Sequence, residues 1–295
     1  MGTDRFSVSM VPLMKAGRKP VPERFENIPS PSIMGILNIT PDSFSDGGRY
    51  QDLDAATQRV LEMVEQGADF IDIGGESTRP FADPVPLDVE IGRTIPVIES
   101  VVDLIEVPIS IDTRHVEVAK LALEAGASMV NDVNGLRAEG MDELVADSGA
   151  SAVIMHMKGS PKNMQVSPGY EDVISDIHSF LSERVSHMVS LGVPRKHLMI
   201  DPGIGFGKRV SDNLMILRDL ESFSDIGCPI LVGASRKSFI GHVLGLEVED
   251  RLEGSLAAAL ISAINGASVL RVHDVKETKL VMKMLGSIRD PSSLL

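Results

Sequence analysis

Eight short apolar runs, beginning near Ile33, Phe70, Pro108, Met129, Ala152, Leu198, Pro229 and Val269, recur along the chain. Each ends in polar residues: Asn38, residues 76–79, Asp112, Asn131, His156, Asp201, Lys237 and Arg271. Strands of a parallel sheet covered on both faces read as such continuous Val/Ile/Leu-rich stretches, not as alternations. Between the runs the spacing turns helical. Ala56, Val60, Met63 and Val64 form one face ahead of Gly67, and Ile174, Ile177, Leu181, Val185, Met188 and Leu191 form another ahead of Gly192. Both glycines stand where a helix C-terminus takes a left-handed residue. Ile91, Ile95, Ile98 and Val102 keep the same period across Pro96, which predicts a helix kinked or split near Ile95.

Eight strand–helix units with right-handed crossovers predict an α/β fold, a (β/α)8 TIM barrel, in which the carboxyl ends of all strands surround one mouth. An open doubly wound sheet uses the same alternation, but its glycine fingerprint is missing after the first strand; Gly203, Gly205 and Gly207 follow only the sixth. The proline-rich residues 1–31 read as an N-terminal extension, and residues 32–290 as a single barrel domain.

The 295 residues suit one barrel, and 43% apolar residues supply a large core. A net charge of −14, without a basic cluster or basic aromatic surface, excludes nucleic acid as an expected partner. Neither a signal-peptide core nor a membrane-length apolar stretch is apparent, and Cys228 has no partner cysteine; together these predict a cytoplasmic protein without membrane attachment.

Several of the polar residues at strand ends could bear chemistry. Asn38 could offer an oxygen to a hard cation, and residues 36–48 (ILNITPDSFSDGG) form a loop able to move as an active-site lid does. Residues 74–80 (GGESTRP) combine close-approach glycines with the planar fork of Arg79. Arg271 and His273 alternate around Val272, so both face the barrel interior as an anion site, or else pair with Asp274 or a neighbouring strand. Asp112, Asn131 and Asp201 would hang into the same mouth, where a side chain left unpartnered costs several kcal/mol. One ligand rich in donors, or basic residues of adjacent loops, could satisfy them. Lys237 could form a Schiff base or donate to a bound heterocycle, and Ser238 beside it could hold a carboxylate. His156 reads equally as structural; the other histidines are expected on solvated or structural sites. With no HExxH or paired-cysteine spacing, no tightly held zinc is expected.

The blocks ILNITPDSFSDGG, DIGGESTRP, ISIDT, VNDV, MHMKGSPKNMQ, DPGIGFGK, GASRKSFIG and LRVHDV, in unbroken order over residues 32–287, resemble the dihydropteroate synthase family of folate biosynthesis. That resemblance implies joining of 6-hydroxymethyl-7,8-dihydropterin diphosphate to p-aminobenzoate with release of diphosphate. It implies Asp112, Asn131, Asp201 and Lys237 as pterin ligands, and Thr78, Arg79, Arg271 and His273 as diphosphate ligands. Asn38 would hold Mg2+, and Ser238, Pro80 and Phe206 would receive p-aminobenzoate. Asp42, Phe44 and Asp46 would belong to a mobile first loop. It further implies a homodimer. Phe44, Phe81, Phe206 and Phe239 are expected in βα loops around the aromatic co-substrate. Competing readings are a Schiff-base aldolase using Lys237, and a pterin-binding barrel without turnover.

One departure stands out: after GGESTRP the family often continues with Gly, whereas here Phe81 and Ala82 follow. Phe81 is expected to reshape the p-aminobenzoate side and weaken sulfonamide binding. Phe81→Gly should then lower the sulfonamide inhibition constant, and an unchanged constant discards the idea.

Overall fold

The computed structural model describes residues 31–39, 48–77, 84–159, 164 and 169–294. Strand and helix alternate: β1 Ser32–Asn38, α1 Gly48–Glu65, β2 Phe70–Gly74, α2 Leu87–Val101, β3 Ile109–Asp112, α3 Val116–Ala125, β4 Met129–Asp132, α4 Met141–Ser148, β5 Ser151–Met155, α5 Val173–Ser190, β6 Leu198–Asp201, α6 Val210–Arg218, β7 Leu231–Val232, α7 Ser238–Leu244, α8 Leu252–Ile264, β8 Val269–Val272 and α9 Val275–Arg289. The strands are parallel in the order β6-β5-β4-β3-β2-β1-β8-β7, and a parallel bridge from Ile200 to Ile230 brings the two edges together. The result is the expected (β/α)8 barrel, closed between β6 and β7 by a bridge instead of a full ladder.

Register explains where the polar groups go. Met34 pairs with Phe70 and Arg271, Asp72 with Ser110, Asp112 with Asn131, Asn131 with Val153, and Met155 with Asp201. Since side chains alternate with period two, these paired positions share the inner face. Lower in the barrel the inner face is an apolar plug of Met34, Phe70, Met129, Val153, Met199, Leu231 and Val269. The outward residues of the same strands, among them Ile33, Ile71, Ile73, Ile111, Val130 and Ile200, pack beneath the helices in a second core. The plug excludes water from below, so polar inner positions nearer the carboxyl ends must find partners there or at the mouth.

Gly67 and Gly192 adopt φ of 96° and 92°, as their positions after helices require. Pro96, expected to kink or split its helix, lies inside the single helix α2. A proline removes one hydrogen bond of the helix ladder, while Val97, Ile98 and Val101 of the following turn remain buried against the barrel. Packing holds the element together across the lost bond. Phe239, expected in a βα loop, is instead a buried residue of α7 in the main core and cannot face a ligand at the mouth.

Candidate functional site

The strand ends build a half-open cavity lined by Asp112, Asn131, Val133, Met155, Asp201, Phe206, Gly233, Lys237 and Arg271. Five of these are polar residues singled out from the sequence, drawn from β3, β4, β6, β8 and the β7–α7 loop.

Arg271 is the hub of the floor. Its Nε donates to Asp72 Oδ2 at 2.6 Å and its Nη2 to Asp112 Oδ2 at 2.6 Å. Asn131 Nδ2 donates to the same Asp72 oxygen at 3.0 Å. Pairing with neighbouring strands, one of the two alternatives for Arg271, is therefore present. Asp72 is fully buried, and its Oδ1 and the adjacent Ser110 Oγ have no hydrogen-bond partner among the described residues. Burial pushes the Asp112 carboxyl up to about 7 against the opposing pull of Arg271, with Asp72, Asp132 and Glu90 adding repulsion.

On the opposite wall Asp201 is buried and its carboxyl is raised by that burial, although Oδ1 accepts the Gly203 N–H at 2.7 Å and Lys237, Lys208 and Arg271 lie near enough to favour the anion. Lys237 sits 3.9 Å above the Phe206 ring centroid, a cation–π contact. Its ammonium is pulled down to about 8, chiefly by burial and then by Arg271. The preceding Arg236 has φ of 56°, a left-handed conformation that costs a non-glycine residue about 1–3 kcal/mol. Several contacts hold it there: two hydrogen bonds to Asp274 at 3.0 and 2.6 Å, and a bond from its backbone N–H to Ser255 Oγ at 2.9 Å. Lys237 is thus presented to the cavity by a rigid, strained turn.

His273 lies beyond β8, with Nδ1 3.0 Å from Ser235 Oγ. Burial, Arg271 and Arg236 push its imidazole down to about 3, so it is neutral at pH 7. Ser238 is exposed at the first residue of α7. Asn38 is half-buried at the end of β1, paired in register with Gly74, whose other partner is Asp112. Thr78, Arg79, Pro80, Phe81, Asp42, Phe44 and Asp46 lie outside the described residues. Among the described residues no group of three or more His, Cys, Asp or Glu converges as a metal cage.

Two buried charged residues that contact or face the lining escaped the sequence reading. Asp72 lies in the middle of the run FIDIG; its inward period, shared with Phe70 and Gly74, was the available signal. Lys208 closes DPGIGFGK, and its Nζ is buried against His156 Nδ1, His156 O and Phe206 O. His156 is accordingly a neutral structural ring, pushed down to about 2 by burial and Lys208.

Residues 34–273 match the family described as pterin binding enzyme. The chain belongs to the pterin-binding enzyme family. A dihydropteroate synthase of Escherichia coli K12 is 44% identical over 255 residues, 86% of this chain and 90% of that protein. The Yersinia pestis dihydropteroate synthase solved with a sulfonamide drug superposes with a TM-score of 0.84 at 43% identity, covering 88% of this chain and 94% of that one. The Xanthomonas albilineans dihydropteroate synthase solved with 4-aminobenzoic acid gives a TM-score of 0.84 at 44% identity, covering 89% and 94%. Within the pterin-binding family's matched span fall all of the cavity-lining residues and the sequence-nominated residues from Asn38 to His273. No described helix is long and apolar enough to cross a membrane.

Proposed function

We infer that the protein is a dihydropteroate synthase, transferring the pterinylmethyl group of 6-hydroxymethyl-7,8-dihydropterin diphosphate to p-aminobenzoate. The observation that carries this reading is the convergence of Asp112, Asn131, Asp201 and Lys237 on one cavity, in a chain of the pterin-binding family. Carboxylates, an amide and a lysine on one floor complement a flat heterocycle whose edge offers several ring N–H and amino donors together with acceptors.

In the reaction the methylene C–O bond breaks and its electron pair leaves with diphosphate, while the aniline nitrogen donates its lone pair to the same carbon and then releases a proton to water. Positive charge that spreads into the pterin is stabilised by Asp112 and Asp201. Arg271, anchored by two carboxylates, lines the cavity, and neutral His273 serves as a donor instead of a cation. No enzyme nucleophile is required, because a neutral aniline already carries its lone pair; positioning supplies much of the rate. Asn38, half-buried at the end of β1, would offer its amide oxygen to a magnesium ion, a hard cation that takes oxygen ligands. When bound, magnesium supplies neutralisation of charge on the leaving diphosphate. Ser238 and Phe206, with Pro80, would receive p-aminobenzoate near the mouth.

A coupled diphosphate-release assay with the pterin diphosphate and Mg2+ tests the reading. Release that depends on p-aminobenzoate is expected; none with both substrates present points to a binding barrel without turnover.

A homodimer is proposed through the outer face of the last three helices. Leu280, Met284 and Ile288 form an i, i+4, i+8 stripe on α9, 60–64% exposed, and Ile261 and Ile264 of α8 and Val243 and Leu244 of α7 are also exposed. Sedimentation should give twice the 31.7 kDa chain mass, falling to a monomer in Leu280→Glu/Met284→Glu. A monomeric wild type rejects the assignment.

A further inference from the structure

In the loop after β6, Lys208 is 2% exposed, yet every N–H of an ammonium has an acceptor: His156 Nδ1 at 3.0 Å, His156 O at 3.3 Å and Phe206 O at 3.0 Å. These acceptors belong to two loops, the one after β5 and the one after β6. The loops are pressed together. A Cβ on Gly203 would overlap His156 O, and one on Gly207 would overlap Lys158 O, so backbone meets backbone with φ of +71° and +62° at the two glycines. The same construction places Lys208 Nζ 3.3 Å from a Cβ at Gly203, the residue whose N–H holds Asp201.

We propose that Lys208 is a positioning residue for Asp201: it clips the two loops together and supplies a buried positive charge behind the carboxylate that faces the pterin. This rests on the dihydropteroate synthase reading. Asp201 is flanked by three cations, Lys237, Lys208 and Arg271, and removing Lys208 leaves that carboxylate with one positive neighbour fewer. Lys208 faces Asp201 of β6, His156 after β5, Asp212 of α6 and Lys237 before α7. Asp201 faces Lys208, Lys237 and Arg271. The neutral His156 ring accepts from Lys208 and adds no charge of its own. Burial opposes the Lys208 ammonium, drawing it down to about 7, while Asp201 and Asp212 favour it.

The test is the pH profile of kcat/KM for the pterin diphosphate in Lys208→Met, Lys208→Gln and Lys208→Arg. Removing a cation near a carboxylate raises its pKa, and ionised Asp201 is the active form. The acid limb of the neutral variants should therefore move up by about 1 unit, an about tenfold loss on the acid side, with KM for the pterin diphosphate raised. Lys208→Arg, which keeps the charge but changes its reach, should hold the wild-type limb while raising KM. A folded neutral variant with a wild-type limb overturns the proposal. Should neither neutral variant fold, a displaced limb in Lys208→Arg overturns it and an unmoved one supports it. Failure of the wild-type protein itself to release diphosphate would instead reject the underlying reading.

Discussion

Asp201→Ala should leave a soluble, folded protein that releases diphosphate at least about 100-fold more slowly than wild type, the scale of losing one preorganised electrostatic contact in a water-poor site. The expectation is built from position. Asp201 ends β6 on the inner face, buried beside Phe206, with Oδ1 held by the Gly203 N–H and three cations around it. Truncation therefore removes the carboxylate from the cavity wall and leaves Lys208 and Lys237 without their shared counter-charge. Asp201→Asn separates the two effects: it can still accept from Gly203, so loss of rate there isolates the charge. Initial rates with both substrates, alongside circular dichroism and thermal melting, make the check. A well-folded Asp201→Ala protein with near-normal turnover would refute the assigned role.

Arg271→Met should produce the largest loss of stability as well as of activity. It leaves two buried carboxylates, Asp72 and Asp112, without the guanidinium that both of them bind at 2.6 Å. Breaking a buried ion pair from one side costs about 3–5 kcal/mol, which lowers Tm by roughly 5–10 °C in a chain of this size. The loss should depend on pH, and its sign follows from Asp112. Its carboxyl titrates near 7 in the folded protein against an ordinary value of 3.8, so the folded state binds this proton more tightly than the unfolded chain. The stabilisation from that proton is complete below about 4 and fades as pH rises through 7. Without Arg271 the folded pKa climbs further, and the variant should lose more Tm relative to wild type at pH 8 than at pH 5.5. Equal losses at the two pH values would show that Asp112 is not the uncompensated charge.

Much of the barrel was legible because a strand covered on both faces leaves an unbroken apolar run, and because a polar residue ending such a run has one place to go. Asp112, Asn131, Asp201, Lys237 and Arg271 were found by that rule, and all line the cavity. Asp72 was not, because a single aspartate within FIDIG resembles an interruption of a strand; the packing that brings it against Asn131 and Arg271 exists only after the sheet closes. Lys208 was hidden for a related reason. A lysine after a glycine-rich turn reads as solvated, and its burial depends on the backbone of a loop some fifty positions earlier. Phe239 shows the converse error: it was expected in a βα loop, but the helix beginning at Ser238 turns the ring into the core. The helix through Pro96 is not split: local sequence reports the missing hydrogen bond and not the packing that offsets it.

The balance of formal charge on the cavity floor has a bearing on inhibitor chemistry. Because two carboxylates, Asp112 and Asp201, already face two cations, Lys237 and Arg271, around the cavity, a guest bearing net charge there would have to surrender its hydration without gaining an uncompensated counter-ion. Compounds meant for this depth should be flat and neutral overall, with N–H groups along the edge turned to Asp112 and Asp201 and an acceptor turned to Lys237. Any anionic substituent is better carried on an arm reaching back toward Ser238, where solvent can still share its charge.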